Sequence, residues 1–166
     1  MKIRRSFEAG HQRKFLIVAD NSPEVESALY YAASRVQRSS GNLVLLYVIE
    51  PQPQTHWLGV KEKQIEEETA KATALFRLFR RKLALAGFPE VEVEEMIREG
   101  SKSEQILQAI DADEDIAILV LGASMDAKGP GPLVASLAAG KSAGSFPIPI
   151  TIVPGYLALE DIKSLA

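Results

Sequence analysis

The chain has 166 residues, of which 46% are hydrophobic and 25% charged, and its formal net charge is −3. This length fits one domain with a full hydrophobic core, and the slightly acidic balance argues against a nucleic-acid partner, which would favour clustered Lys and Arg. The absence of cysteine excludes disulfides, thiolate catalysis and cysteine-ligated metal centres, and no apolar run has the length of a bilayer-spanning helix, so we expect a cytoplasmic protein without a membrane segment.

The chain divides into three parts by composition. Residues 1–13 are polar and charged and predict a flexible N-terminal arm, which lacks the apolar stretch of a signal peptide and is either native or a tag remnant. Residues 14–155 predict a single domain, and residues 156–166 a short C-terminal tail with an acidic helical turn.

The first element of the domain is a short apolar run, residues 15–19, followed by the turn residues Asp20, Asn21, Ser22 and Pro23. A run without polar alternation is typical of a strand that is buried on both faces. Ser22 is suited to a helix N-cap and Pro23 to the first helical position, so a helix is expected to begin there.

The rest of the domain alternates strands and helices. Apolar runs predict strands at 43–49, 91–97, 116–121 and 148–153, and helical spacing or capping patterns predict helices at 61–86, from 101 and at 132–139. The partly alternating strand at 91–97 suggests an exposed face or an edge, and Pro149 places the last strand at an edge. This order predicts an α/β fold with a single doubly wound five-stranded parallel sheet and helices on both faces.

Ligands of such sheets bind beyond the carboxyl ends of the strands, where the winding direction reverses. Asp20, Val48 and the loop that begins at Gly122 fall at those ends. Asp20 is suited to bind a ribose or a base amine, or it only caps the turn. The loop, with Gly129 and Gly131, is suited to bind an anion through its backbone amides, with Lys128 adding a charge, or it is a surface turn whose shape is fixed by glycine and proline.

Catalytic motifs are not evident in the sequence. His11 and His56 have no metal-ligand partner at a recognisable spacing, and no motif couples a serine to a base. Gly140-Lys141-Ser142 lacks the preceding glycine and the order of elements of a P-loop. The acidic helix face is interpreted as solvated surface; its residues are Glu62, Glu66, Glu67 and Glu68.

Four segments stand in a recognisable order between about Lys14 and Pro154: Phe-Leu-Ile-Val-Ala-Asp-Asn-Ser at 15–22, Leu-Leu-Tyr-Val-Ile-Glu-Pro at 45–51, Ile-Leu-Val-Leu-Gly-Ala-Ser at 118–124 and Phe-Pro-Ile-Pro-Ile-Thr-Ile-Val-Pro at 146–154. In this order and spacing the span resembles the universal stress protein family. The resemblance implies a Rossmann-like fold and, in members that bind ATP, an adenosine site formed by an aspartate after strand one and a valine after strand two, here Asp20 and Val48.

The resemblance also implies a phosphate motif, G-x2-G-x9-G-[S/T], from which this sequence departs. Gly122 matches the first glycine, but Met125 stands at the second, and Gly140 is followed by Lys141 with Ser142 one residue later. Gly129 and Gly131 are expected to supply the missing flexibility from a longer loop.

Three functions are compatible with these features. The first is a stress-response protein that binds ATP, AMP or another adenine nucleotide as a regulator with little turnover, at most a weak ATPase. The alternative is a nucleotide-free dimeric interaction module of the same fold, because the glycine motif is degenerate. The third is an enzyme of the wider adenine-nucleotide α-hydrolase-like group. The family resemblance and the apolar edge strand both imply a homodimer formed through Ile148 to Val153.

Overall fold

The computed structural model describes residues 3–53 and 58–166 and contains one five-stranded parallel sheet. The strand order is β3-β2-β1-β4-β5. The strands are β1 (Lys14–Val18), β2 (Asn42–Ile49), β3 (Val93–Glu99), β4 (Ile116–Ala123) and β5 (Ile150–Pro154). The helices are α1 (Val25–Ser39), α2 (Leu58–Leu85), α3 (Lys102–Ala112) and α4 (Leu159–Leu165). The predicted fold class is therefore confirmed, and β3 and β5 lie at the edges as expected.

The unbroken apolar runs of the central strands reflect burial on both faces of the sheet. In β1, Phe15 and Ile17 pack in one core with α1 and α2, while Leu16 and Val18 pack in a second core with α3. Because successive side chains point to opposite faces of a strand, both sets of positions must be apolar. This arrangement fixes β1 in the middle of the sheet.

The entry into α1 differs from the sequence prediction. The helix begins at Val25 with Glu24 at the N-cap position, and neither Ser22 nor Pro23 has the predicted capping role. Ser22 instead donates hydrogen bonds from its backbone N–H and its hydroxyl to Oδ1 of Asp20. The Asp20 carboxylate thus stabilises the turn that precedes α1.

The segment between β4 and β5 is helical at residues 132–138, which agrees with the helix predicted at 132–139. It contains a π-helical turn, Val134–Ala138, and a 3₁₀ turn, Ala143–Ser145. Strand β5 begins at Ile150, two residues later than predicted. Pro149 accepts a hydrogen bond from Leu119 N at 3.0 Å, but it has no N–H to donate. The regular pairing of β5 with β4 therefore begins at the next residue.

Both terminal segments contact the domain. The guanidinium of Arg4 donates to the carbonyl oxygens of Ile110 (2.6 Å) and Asp113 (2.9 Å), where the sequence predicted a loose arm. In the predicted tail, α4 buries Ile162 completely, and Arg38 of α1 donates to the carbonyl oxygen of Ala166 at 2.6 Å. Residues 156–166 therefore extend the core over α1.

The described helices include none with the length and apolar character needed to cross a bilayer. His56, which the sequence analysis considered as a metal ligand, lies outside the described residues, as does the adjacent Trp57.

Candidate functional site

The winding direction of the sheet reverses at β1: β2 and β3 lie on one side of it, and β4 and β5 lie on the other. A cavity of about 350 Å³ opens at the carboxyl ends of β1 and β4, a volume within the range of roughly 300–1,000 Å³ typical of small-molecule sites. Its walls include Asp20 and Gly122, together with Glu24, Gly131 and Lys102. We call this cavity the switch-point crevice.

A second cavity of about 250 Å³ lies at the carboxyl end of β2. It is lined by Val48, Tyr47 and Glu68, and it shares Asp20 and Lys102 with the switch-point crevice. Asp20 therefore stands on the boundary of two adjoining hollows, and the structure brings it together with Val48 as the sequence predicted.

The Asp20 carboxylate holds the turn that follows β1. Its Oδ1 accepts a hydrogen bond from Ser22 N at 2.8 Å and another from the Ser22 hydroxyl. Both bonds fall on a single carboxylate oxygen, so the turn-capping role and a ligand-binding role are compatible for this residue. The two interpretations that the sequence left open do not exclude each other.

Tyr47 and Glu68 form the opposite wall of the β2 cavity. The Tyr47 hydroxyl donates to Glu68 Oε2 at 2.6 Å. Burial, together with this hydrogen bond to an anion, raises the pKa of Tyr47 to about 12. The hydrogen bond from Tyr47 in turn lowers the pKa of Glu68. At neutral pH the wall thus presents a neutral phenol that donates to a carboxylate.

The glycine-rich loop after β4 borders a third cavity, of about 440 Å³, with Gly129, Gly131, Lys128 and Glu24 in its walls. Gly129 and Gly131 have φ angles of +121° and +105°. Residues with a side chain rarely adopt such positive φ angles, so the path of the loop favours glycine at both positions.

The other predicted phosphate-binding residues have different surroundings. Gly122 packs against the backbone carbonyl of Glu24, where a Cβ would clash, and Gly140 packs in the same manner against the carbonyl of Ser136. Neither Gly140 nor the exposed Ser142 lines any of these three cavities. Met125, which stands at the second motif glycine, is 73% exposed and leaves the switch-point crevice open.

The sequence analysis missed three residues of the site. Lys102 follows β3, so the parallel topology placed it at the functional end of the sheet, and its Nζ lies 3.8 Å from Glu50 Oε1. Glu68 lies three residues after Ile65, so the two side chains share the partly buried face of α2. The other acidic residues of the predicted solvated face are exposed: Glu62, Glu66 and Glu67. Glu24 carried no signal, because its position depends on where α1 begins.

Within residues 3–53 and 58–166, no group of three or more acidic or histidine side chains is placed to hold a metal ion. His11 pairs with Asp115 through Nδ1 at 2.7 Å, on the amino-terminal side of β4 and away from the crevice. The residues present at the crevice are suited to hydrogen bonding with a sugar or a base.

The sheet order and the crevice define a Rossmann-like α/β protein with a cavity at its topological switch point, where ligands of such sheets bind. Residues 12–154 match the model of the universal stress protein family. The chain belongs to the universal stress protein family. No curated protein matches the sequence.

Solved structures share this fold at low sequence identity. Universal stress protein UspA from Lactobacillus plantarum is 21% identical, with a TM-score of 0.63 over 85% of this chain and 97% of that chain. A family member from Arabidopsis thaliana, solved with AMP bound, is 16% identical, with a TM-score of 0.55 over 86% of this chain and 91% of that chain. The universal stress protein from Archaeoglobus fulgidus in complex with dAMP is 16% identical, with a TM-score of 0.53 over 85% of this chain and 97% of that chain.

Proposed function

We propose that this protein is a cytoplasmic stress-response regulator that binds an adenine nucleotide, ATP or AMP, with little or no turnover. The observation that carries the proposal is the position of Asp20, whose carboxylate is shared by the switch-point crevice and the β2 cavity. Adenosine is large enough to bridge two such adjoining hollows, with its ribose at their boundary.

Two further observations support the proposal. Universal stress proteins from Arabidopsis thaliana and Archaeoglobus fulgidus have been solved with AMP and dAMP. The wall residue Val48 is 7% exposed and offers an apolar contact for a base, next to the polar Asp20. Apolar walls with a few placed polar groups are typical of small-molecule sites.

For the phosphates, we propose the loop glycines Gly129 and Gly131 rather than the far end of the family motif. Both line the cavity next to the crevice, and Lys128 lies in the same wall. In this arrangement Gly122 acts through packing, and Gly140 and Ser142 stay candidate ligands by family resemblance alone.

The second candidate function is a nucleotide-free interaction module of the same fold. It is favoured by Met125, which replaces the second motif glycine and is 73% exposed, and by the exposed Ser142 outside the three cavities. In both candidates, we propose that two copies of the chain pair through the β5 edge, in the region from Ile148 to Val153.

Calorimetric titration with adenosine, AMP and ATP tests the nucleotide proposal. Asp20→Asn keeps an acceptor for Ser22 and so preserves the turn, but it removes the charge that would bind a ribose hydroxyl. We expect this variant to bind AMP about tenfold or more weakly, the loss typical of a hydrogen bond to a charged group.

Asp161→Asn, on the exposed first turn of α4, is the matched control and should keep wild-type affinity. Mass spectrometry of small molecules released from the purified protein provides a second readout, and an adenine nucleotide is expected there. If adenosine, AMP and ATP all fail to bind at millimolar concentration, the nucleotide-free module is the better description.

A further inference from the structure

A carboxylate lies where a nucleotide in the switch-point crevice would extend its phosphates. Glu24 lines both that crevice and the cavity beside the glycine-rich loop. Its Oε1 lies 3.7 Å from the position that a Cβ on Gly131 would occupy, so the carboxylate faces the loop at close range. Any anion bound by this loop would therefore share its cavity with Glu24.

The backbone of Glu24 is held in place from two sides. Its carbonyl oxygen packs directly on Gly122 at the end of β4, and its Cβ lies 2.9 Å from the Cβ position of Gly155 after β5. Either glycine would clash with Glu24 if it carried a side chain. These contacts fix the residue between two strand ends, so its carboxylate cannot leave the region by a shift of the backbone.

The Glu24 carboxylate shares its two cavities with Lys102 and Lys128 but forms an ion pair with neither. No Lys, Arg or His of the described part of the chain lies within ion-pair distance of Glu24, and its side chain forms no cap hydrogen bond with α1. Lys102, in the same crevice, lies next to Glu50 at 3.8 Å, and Lys128, across the loop, is exposed and thus strongly screened by solvent. Glu24 is half-buried, where a like charge is repelled more strongly.

We infer that Glu24 is a specificity-determining residue that makes the crevice select adenosine and its monophosphate over nucleotides with longer phosphate chains. The inference rests on the proposed function, since it concerns the same crevice. Each added phosphate brings negative charge toward the Glu24 carboxylate, whereas the adenosine moiety, between Asp20 and Val48, is unaffected by it. The ligand class is therefore a nucleoside or a nucleoside monophosphate.

The test compares Glu24→Gln with the wild type by calorimetry in magnesium-free buffer, with adenosine, AMP and ATP as probes. Glutamine retains the size of the side chain and removes its charge. We expect ATP to bind about tenfold more tightly to the variant, as expected when one like charge is removed at partly screened range, with adenosine affinity unchanged. The wild type should bind AMP more tightly than ATP.

Glu26→Gln is the matched control, two residues further along α1. Glu26 pairs with Lys82 at 2.6 Å and lines neither cavity, so its neutralisation should leave the ratio of ATP to adenosine affinity unchanged. Urea denaturation of both variants checks that each is folded.

Three results would overturn the inference. If adenosine binds and Glu24→Gln leaves the ratio of ATP to adenosine affinity at its wild-type value, Glu24 does not set selectivity. A loss of adenosine affinity in Glu24→Gln would show that the carboxylate contacts the nucleoside instead. If neither protein binds any of the three probes, the proposed function fails and this inference fails with it.

Discussion

Glycine at residue 122 has a packing role that is separate from any phosphate contact. The carbonyl oxygen of Glu24, on the turn into α1, lies where a side chain at this position would begin. Close approach of two backbones is one of the few structural demands that only glycine meets. In this chain, the first glycine of the family motif is therefore required for the contact between the end of β4 and the start of α1.

We predict that Gly122→Ala destabilises the fold by about 1–3 kcal/mol or more, because the added methyl group must push the Glu24 backbone away. The free energy of unfolding from urea denaturation measures the effect. Gly144→Ala is the matched control: a Cβ there meets nothing within 4 Å, and Gly144 is not among the glycines with positive φ. Equal stability of the two variants would contradict the packing role of Gly122.

At the scale of elements, the two edges of the sheet differ in character. Strand β5 carries Ile152, which is 44% exposed, beside the half-buried Ile150 and the buried Val153. Strand β3 carries Ile97, which is 38% exposed, between the charged pairs Glu94-Glu95 and Arg98-Glu99. Charged side chains protect an edge from pairing, whereas an apolar edge favours contact with another chain. The contrast supports the proposal that two copies of the chain pair through β5.

If two copies pair through β5 as proposed, the wild type should be a dimer and Ile152→Lys a monomer, since a lysine charge would be brought into the apolar contact between the copies. Sedimentation equilibrium gives the mass directly. Ile97→Lys places the same substitution on the β3 edge and should leave the dimer intact. A dimer that persists in Ile152→Lys, or one lost in Ile97→Lys instead, would argue against pairing through β5.

The elements that were predictable from sequence are those with strong local patterns. The unbroken apolar runs of β1, β2 and β4 follow directly from burial on both faces, and Pro149 correctly indicated an edge strand. The start of α1, at Val25 and not at Pro23, was predicted wrongly, and the π-helical form of the predicted helix after β4 was not foreseen. In the first case Ser22 forms its hydrogen bonds with Asp20 inside the preceding turn, and in the second the helical form depends on how the chain packs after β4.

For the whole molecule, topology located the crevice but not its full lining. Alternating strands and helices were enough to bring Asp20, Val48 and the glycine-rich loop to one end of the sheet. Glu24 lies in the crevice wall at the residue that precedes α1. The electrostatic character of the site is therefore a tertiary property, since no local pattern placed a carboxylate beside the loop.

The central claim is that an adenine nucleotide binds in the switch-point crevice, at the carboxyl ends of β1 and β4. Amide hydrogen exchange with and without millimolar AMP tests this claim most directly. We expect AMP to slow exchange in the segments 18–28 and 120–134, which contribute most of the residues that line the switch-point crevice. A cavity at the amino ends of the strands, lined by Gly41, Asn42 and Glu92, is the internal reference and should be unaffected. Slower exchange confined to that reference region, or no change anywhere in the chain, would contradict the claim.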